Sequence, residues 1–584
     1  MDNKKPLLAL ALMCAAGLTQ AGEKEELLKL RNTTTNLIKQ LVKQGVITDK
    51  TAQDMIKQAE ADADQQVAEA KAATAKQPAA SKEVVPADEV RVAYVPDFVK
   101  DEIRQQVRSE LREEVVGDVM AKAKKEQWGL PGALPEWVSR FKLSGDLRLR
   151  EQSEYMASDN TPSVTPNNRA IFGAYQNFQA VNDRGGYTSA LNNNELFLNT
   201  NNDRNRFRER LRIGLDAQVA EGLVAGIRLS TGNIKNPVST NQTLGNMGDR
   251  YDFRVDRAFL KYDLVDDKKF SWLTLAGGRI INPFFTGGSE LVWDEDLSFE
   301  GVAGTIRHQF GNSDGLASVS GKGPTIYATA GAFPLSESAL SSKNKWLFGG
   351  QTGLDWGFAN QDNLKIGAAY FDYRNIRAKP NTGAPPQDIC NFNTPDNSFS
   401  KPDYMQLGNS LATICADNAA PDQIGLVGLA SDYRIININA VYDLAMFAPH
   451  HLKLSADYAK NVGFNYKDIK SHYRNSWWSQ GGNESSEQTT GWQVRADLGW
   501  PKVDVAGNWS VFTMYKHLER DAVLDAFTDS DFHLGGTNTK GWVVGGNYGL
   551  VKNVWLSGRW LSGNVITGPQ YGVDILQVDV NTRF

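Results

Sequence analysis

The sequence predicts an all-β transmembrane antiparallel β-barrel of about sixteen strands, with fourteen to eighteen admitted, preceded by an α-helical, coiled-coil segment. Three observations predict it. Segments of about ten residues alternate apolar and polar side chains with a period of two, as half-buried strands do. The connections between them alternate short and long. A secretory signal opens a chain in which no later stretch reaches the ~18 apolar residues that a membrane helix requires.

The signal occupies residues 1–21: Lys4 and Lys5 precede an apolar run from Leu7 to Leu18, and Thr19 and Ala21 stand as small residues before Gly22. Met13 rather than a small residue precedes Cys14, which argues against lipoprotein processing. Residues 22–76 read as helical, with Leu27, Leu30, Leu37 and Leu41 at near-heptad intervals and Thr48 able to cap a further helix. A Pro/Ala/Ser/Val linker follows over residues 77–96. Residues 97–135 form a helix and junction in which Phe98, Ile103, Val107, Leu111, Val115 and Val119 make one apolar stripe. That stripe has to be covered, either by self-association as a coiled coil or by packing against the rim of the barrel.

From residue 136 to 584 the period changes to two. In RFKLSGDLRLRE, Phe141, Leu143, Leu147 and Leu149 share a face, against Lys142, Asp146, Arg148 and Arg150. In RNRFRERLRIGLDAQV, Phe207, Leu211, Ile213, Leu215 and Ala217 oppose Arg206, Arg208, Arg210 and Arg212, with Glu209 the exception. Four arginines on one strand face cannot enter a dry core, where each unpaired charge costs several kcal/mol or more. That face must be wet. A soluble sandwich could also wet it, so the connections decide.

Strands are expected near 140–152, 204–219, 223–231, 253–265, 272–281, 297–310, 317–333, 344–358, 363–375, 432–446, 449–462, 489–500, 503–517, 538–550, 553–565 and 572–584. Short connections (AEG, DDKK, NQDN, PKVD, VKN) alternate with long ones such as 153–203, 376–431 and 463–488, the pattern of an outer-membrane barrel. An even count places both barrel ends of the chain on one side, taken as the periplasm. The closing strand, GVDILQVDVNTRF, alternates Leu576, Val578 and Val580 with polar neighbours and ends on Phe584. Trp272, Trp346, Trp356, Tyr442, Tyr458, Trp492, Trp500, Trp542, Tyr548 and Trp555 fall near strand ends, where headgroup-level girdles are expected.

Composition agrees: 52 Gly, 14 Trp, 18 Tyr and 25 Phe point to many strands and turns, while a formal charge of -5 names no partner. Mean hydropathy of -0.42 suits a barrel with a polar interior as well as a soluble protein. Once Cys14 leaves with the signal, Cys390 and Cys415 remain as an even pair in an oxidising compartment; a disulfide within one connection is favoured, two free thiols being the alternative. The connection that holds them reads as an exposed loop from its Asn, Pro and Asp content. No G-x-S-x-G, H-E-x-x-H or phosphate-binding glycine loop occurs, and His450 and His451 sit in a predicted turn. No enzyme, cofactor, metal site or nucleic-acid partner is expected.

The run QWGLPGALPEWVSRFKLSGDLRLR, preceded by YVPDFVKDEIRQQVRSELREEVV, resembles the putative porin family of Gram-negative bacteria, as do RFRERLRIGL, GRIINPF and LVWDEDLSFEGVAG. The resemblance implies a channel in the cell outer membrane, with the N-terminal segment in the periplasm. It implies passage of small hydrophilic solutes and ions, contact with outer-membrane lipid and lipopolysaccharide, and a homotrimer. In the general porins this family resembles, an early connection folds inward to make the constriction. INPFFTGGSELVWDEDLSFE is the candidate here, with Asp294, Glu295, Asp296 and Glu300 facing Arg148, Arg150, Arg206, Arg208, Arg210 and Arg212 on the wall. Such opposed charges would set a transverse field across the lumen; ion-pair bracing of the wall, or arginine contact with lipopolysaccharide phosphate, are the alternatives. An arginine-dominated pore would prefer anions, the expectation favoured here, and an acid-dominated one cations. A structural anchor tethering the membrane to peptidoglycan through the helical segment is the competing function.

Overall fold

The computed structural model describes residues 136–161, 175–310, 323–339, 342–382, 388–390, 396–467, 469, 476–477 and 487–584. The expected signal, both N-terminal helical segments and the linker lie outside the described residues.

After a single helical turn, Glu136–Ser139, the chain forms sixteen barrel strands. They are β1 (Phe141–Met156), β2 (Arg204–Ala220), β3 (Leu223–Ser230), β4 (Arg254–Val265), β5 (Ser271–Ile281), β6 (Ser298–Gln309), β7 (Thr325–Ser336) and β8 (Lys345–Gly357), then β9 (Asn363–Arg374), β10 (Arg434–Leu444), β11 (His451–Asn461), β12 (Thr490–Gly499), β13 (Trp509–Leu518), β14 (Thr539–Val551), β15 (Val554–Val565) and β16 (Gly572–Arg583). Each pairs antiparallel with its neighbours in sequence. The sheet closes where β1 meets β16, from Asp146 opposite Arg583 to Met156 opposite Val573. Closure leaves no edge with unpaired backbone groups, the condition for strands to cross a bilayer.

The seam is finished by the last residue. The Gly145 N–H donates to the Phe584 carbonyl at 2.9 Å, and the Phe584 N–H to the Gly145 carbonyl at 3.0 Å. The Phe584 ring lies over Gly145 so closely that a β-carbon there would overlap it.

Alternation sorts the side chains as the sequence implies. Leu143, Leu149, Phe207, Leu215, Leu260, Leu275, Val302 and Trp542 are exposed on the outer wall, whereas Arg148, Arg150, Arg210, Gln351, Asn437 and Gln577 are buried inside. Two strands begin six or more residues later than expected. β7 starts at Thr325, and the residues assigned ahead of it, 317–322, lie outside the described set. β13 starts at Trp509, because the stretch after Pro501 folds back as a wide turn: the Asn508 N–H donates to the Val505 carbonyl, the Gly507 N–H donates to the Gly549 carbonyl, and the Gly549 N–H donates to the Asn508 carbonyl, which pins the turn to β14.

Long connections gather at one end: L1 (157–203), L2 (231–253), L3 (282–297), L4 (337–344), L5 (375–433), L6 (462–489), L7 (519–538) and L8 (566–571). L5 is not the exposed loop its composition suggested. Leu411–Ala416 and Ile424–Leu429 pair as a hairpin inside it, with Ala412, Ile414, Val427 and Leu429 buried, and Cys390 and Cys415 are joined as a disulfide with their Cα atoms 5.1 Å apart. Polar residues at its turns masked two apolar runs, LATICA and IGLVGL, each too short to read as a barrel strand. L1, L3, L5 and L7 meet in one apolar cluster with inward residues of the β5–β13 half of the wall, among them Phe284, Trp293, Phe299, Phe333, Phe371, Ile435 and Leu518.

The arginine wall and the loops against it

β1 and β2 bring the six arginines onto one inner surface. Register places Arg148 opposite Arg210, Arg150 opposite Arg208, Gln152 opposite Arg206 and Asp146 opposite Arg212. Like charges directly opposite destabilise a sheet, so the two arginine rungs need compensation from elsewhere. β16 supplies Asp579, which accepts from Arg150 Nε at 2.7 Å, and L7 supplies Asp531, 2.8 Å from Arg150 Nη1 and also from Arg559 Nη2. Glu154, on β1 itself, pairs with Arg206. Asp146 lies 2.8 Å from Arg212 and 3.2 Å from Arg210.

L3 brings the remaining acid by traversing the barrel. Leaving β5, it is tied to β8 and β10: Phe285 N–H donates to Gln351 Oε1 at 2.7 Å, and its carbonyl accepts from Gln351 Nε2 and Asn439 Nδ2. Phe284 and Trp293 hold the loop down by stacking edge-on into Phe299 and Phe371. Returning toward β6, it sets Asp296 3.0 Å from Arg212 Nη1 and 3.6 Å from Arg210 Nη1, while L2 donates to the other oxygen from the Thr240 N–H and hydroxyl. Burial opposes ionisation of Asp296, but Arg210, Arg212 and Arg148 hold it below the usual carboxylate range.

The four acids named from the sequence therefore divide. Asp296 meets the wall arginines, and Glu295 lies 3.8 Å from Arg210 with its side chain open to solvent. Asp294 turns away, accepting from the Ser530 N–H of L7 at 3.1 Å and from the Asp296 N–H at 2.7 Å. Glu300 stands within β6 and pairs with Arg279 of β5, so it is no part of the loop's contact with the arginines. Of the six arginines, Arg148 and Arg208 have no carboxylate partner among the described residues. Arg148 Nη2 donates to Asn241 Oδ1 at 2.5 Å, and Arg208 donates to Gln152 Oε1 at 3.2 Å and Ser239 Oγ at 3.5 Å. The Nε atoms of both are buried without a partner.

L7 is the contributor that sequence reasoning missed. Asp521 accepts from the Ser410 N–H and hydroxyl and from the Tyr433 hydroxyl, locking L7 to L5 at two places. Asp529 pairs with Lys516 at 3.2 Å and, with Glu290 and Asp294, brings three carboxyl groups to within 4.8 Å of one another. Burial, then repulsion from Asp529 and Glu295, pushes Glu290 up to about 8. Asp294 is raised too, by burial first and then by repulsion from Glu290, Asp296 and Asp529. Asp531, facing Arg150 and Arg559, is instead held well below the usual range against the effect of burial. The available signal was DAVLDAFTDSD, four acids within eleven residues.

The family described as putative porin matches residues 31–584. No curated protein matches the sequence. Among solved structures, OprB of Pseudomonas putida is 9% identical over 78% of this chain and 97% of its own, with a TM-score of 0.40. The outer membrane channel DcaP of Acinetobacter baumannii is 10% identical over 76% of this chain and 97% of its own, at 0.35. An anion-selective porin from Comamonas acidovorans is 11% identical over 76% of this chain and 99% of its own, also at 0.35. The family match covers every barrel strand, and on that match the chain belongs to the putative porin family.

Proposed function

We propose that the protein is a passive diffusion channel of the Gram-negative outer membrane for small hydrophilic solutes and ions, with a charged constriction where L3 meets the β1–β2 wall. Membership of the porin family and the closed sixteen-strand barrel support the channel; the observation that carries the constriction is Asp296 within 3.0 Å of Arg212. That contact takes a loop rooted between β5 and β6 across to β2, and the apolar cluster fills the space behind it. The route left for solute runs along the arginines, where opposed charges in a narrow, low-dielectric opening order water and select by charge.

The balance of charge favours anions. Asp296 is matched by two arginines, so it adds little negative potential of its own. Arg148 and Arg208 are matched only by neutral amides and a hydroxyl. Membership of the family also supports long connections facing outward, lipopolysaccharide around the rim and assembly as a homotrimer; the apolar stripe over residues 97–135 supports a periplasmic N-terminal segment covered either by its own copies as a coiled coil or by the rim of the barrel.

Planar-bilayer recording tests this. Discrete conductance steps are expected, with a reversal potential in a salt gradient of the sign that marks anion preference. A silent bilayer, from protein shown to be folded by its heat-modifiable gel mobility, would overturn the channel and favour a tether to the cell wall.

A further inference from the structure

We propose that the pocket between L2 and β2 binds hydroxylated monoanions of the sugar-acid class, a solute class for the channel; the proposal rests on the porin reading above. The pocket has a volume of about 450 Å3 and is lined by Arg208 and Arg254 with Asn233, Asn236, Ser239 and Asn241 among its polar residues. Among the described residues, its lining holds no carboxylate and no aromatic ring.

Its charge is positive and only partly answered. Arg208 donates two long hydrogen bonds to neutral oxygens and leaves its Nε without a partner. A guanidinium withdrawn from water in this way is stabilised by an anion far more than by an amide, because charge-assisted bonds are roughly twice as strong as neutral ones. Arg148 adds to the field from behind: its Nη2 donates to Asn241 Oδ1, while Asn241 Nδ2 is turned toward Ser239 Oγ at 3.2 Å. Arg254 already shares its charge with Asp252 at 3.0 Å, whose side chain is open to solvent. The surplus that reaches the pocket therefore matches one negative charge better than two.

The rest of the lining fixes the remainder of the ligand. Side-chain amides and hydroxyls both donate and accept, which suits several adjacent alcohol groups. A halide would leave most of these groups unused. A neutral sugar would leave Arg208 unanswered and find no ring to stack on. A carboxylate carried on a polyhydroxylated chain or ring uses both the guanidinium and the amides, and the volume accommodates six carbons with their oxygens.

The test is calorimetric titration of the full-length, detergent-folded protein with sodium glucuronate, glucose and sodium acetate, alongside bilayer recording with the same solutes. Saturable binding of glucuronate is expected, about tenfold tighter than either other solute, and about tenfold weaker in Arg208→Gln. Asn236→Ala should weaken glucuronate while leaving acetate as it was, which separates hydroxyl recognition from charge and serves if the arginine variant fails to fold. In the bilayer, glucuronate should interrupt the chloride current. Equal affinity for acetate and glucuronate, or undiminished glucuronate binding in a folded Arg208→Gln protein, would overturn the assignment. Conductance without binding would remove the site and leave the channel standing; binding without conductance would keep the site and remove the channel.

Discussion

Arg148 of β1 stands directly opposite Arg210 of β2, yet only Arg210 is given carboxylates: Asp146, Asp296 and Glu295 all lie within ion-pair reach of it. Two equal charges on one rung are thus treated unequally. One is braced, and the other is left to an amide. The unequal treatment makes the bracing and selectivity readings complementary, since different arginines serve each.

Asp296→Asn should strengthen anion preference. Removing the acid frees Arg210 and Arg212 from a partner each shares, an effect on the order of 1 kcal/mol for a charge a few ångströms away across water, or about fivefold in the anion-to-cation permeability ratio. The reversal potential in a salt gradient reads it. A shift toward cations would mean that L3 relaxes out of the lumen when the pair is lost.

Asp521→Ala should detach L7 from L5. Three donors, the Ser410 N–H, the Ser410 hydroxyl and the Tyr433 hydroxyl, would lose their acceptor in a buried setting. At about 1–3 kcal/mol for each unsatisfied group, the combined cost is several kcal/mol, visible as a lowered melting temperature and as new protease cleavage within 519–538.

The three-carboxyl junction between L3 and L7 makes stability depend on pH in a stated direction. Glu290 is raised to about 8 in the folded protein, so between its ordinary value and that value the unfolded chain releases a proton that the folded one keeps. Stability conferred by the protonated junction is present at low pH and falls as pH rises through this window. Melting temperatures measured from pH 5 to pH 9 should decline, and Glu290→Gln should flatten the decline. An unchanged slope in that variant would show that other groups govern it.

Serine at Cys390 and Cys415 should loosen L5 without opening the barrel. The bridge closes a loop of 25 residues, worth about 3 kcal/mol by chain entropy. Protease sensitivity confined to 375–433, with heat-modifiable gel mobility retained, is the expected result.

Gly145→Val should impair closure. The new side chain would occupy the position of the Phe584 ring beside the paired backbone groups of the seam. Overpacking of this kind costs about 1–3 kcal/mol, and the folded fraction after refolding into detergent should drop accordingly.

Most of the wall was readable from the sequence because a barrel strand answers to one local rule, wet on one side and apolar on the other, and RFRERLRIGL obeys it at every position but Glu209 without help from distant residues. The pairing of charges was not readable, because it depends on which loops enter the lumen and how far. Asp294 and Asp296 are two residues apart and face opposite ways, one to Ser530 and one to Arg212. That divergence is set by Trp293 wedged among Phe299, Phe371 and Phe527. Asp531 reaches Arg150 across 381 residues of chain, a contact no local pattern announces. L5 misled for the opposite reason, since its buried hairpin is made of short apolar runs set among turn residues.

The interior of this barrel is two materials side by side. Along β5 to β13 it is packed like the centre of a soluble enzyme, ring against ring around Phe284 and Trp293; along β1 and β2 it is a charged bank. Natural variation should fall unevenly across the two. Substitutions on the bank would retune what crosses the membrane in a protein that still assembles, and those in the packed half would be sifted by folding first, so the family can change its diet without redesigning its frame.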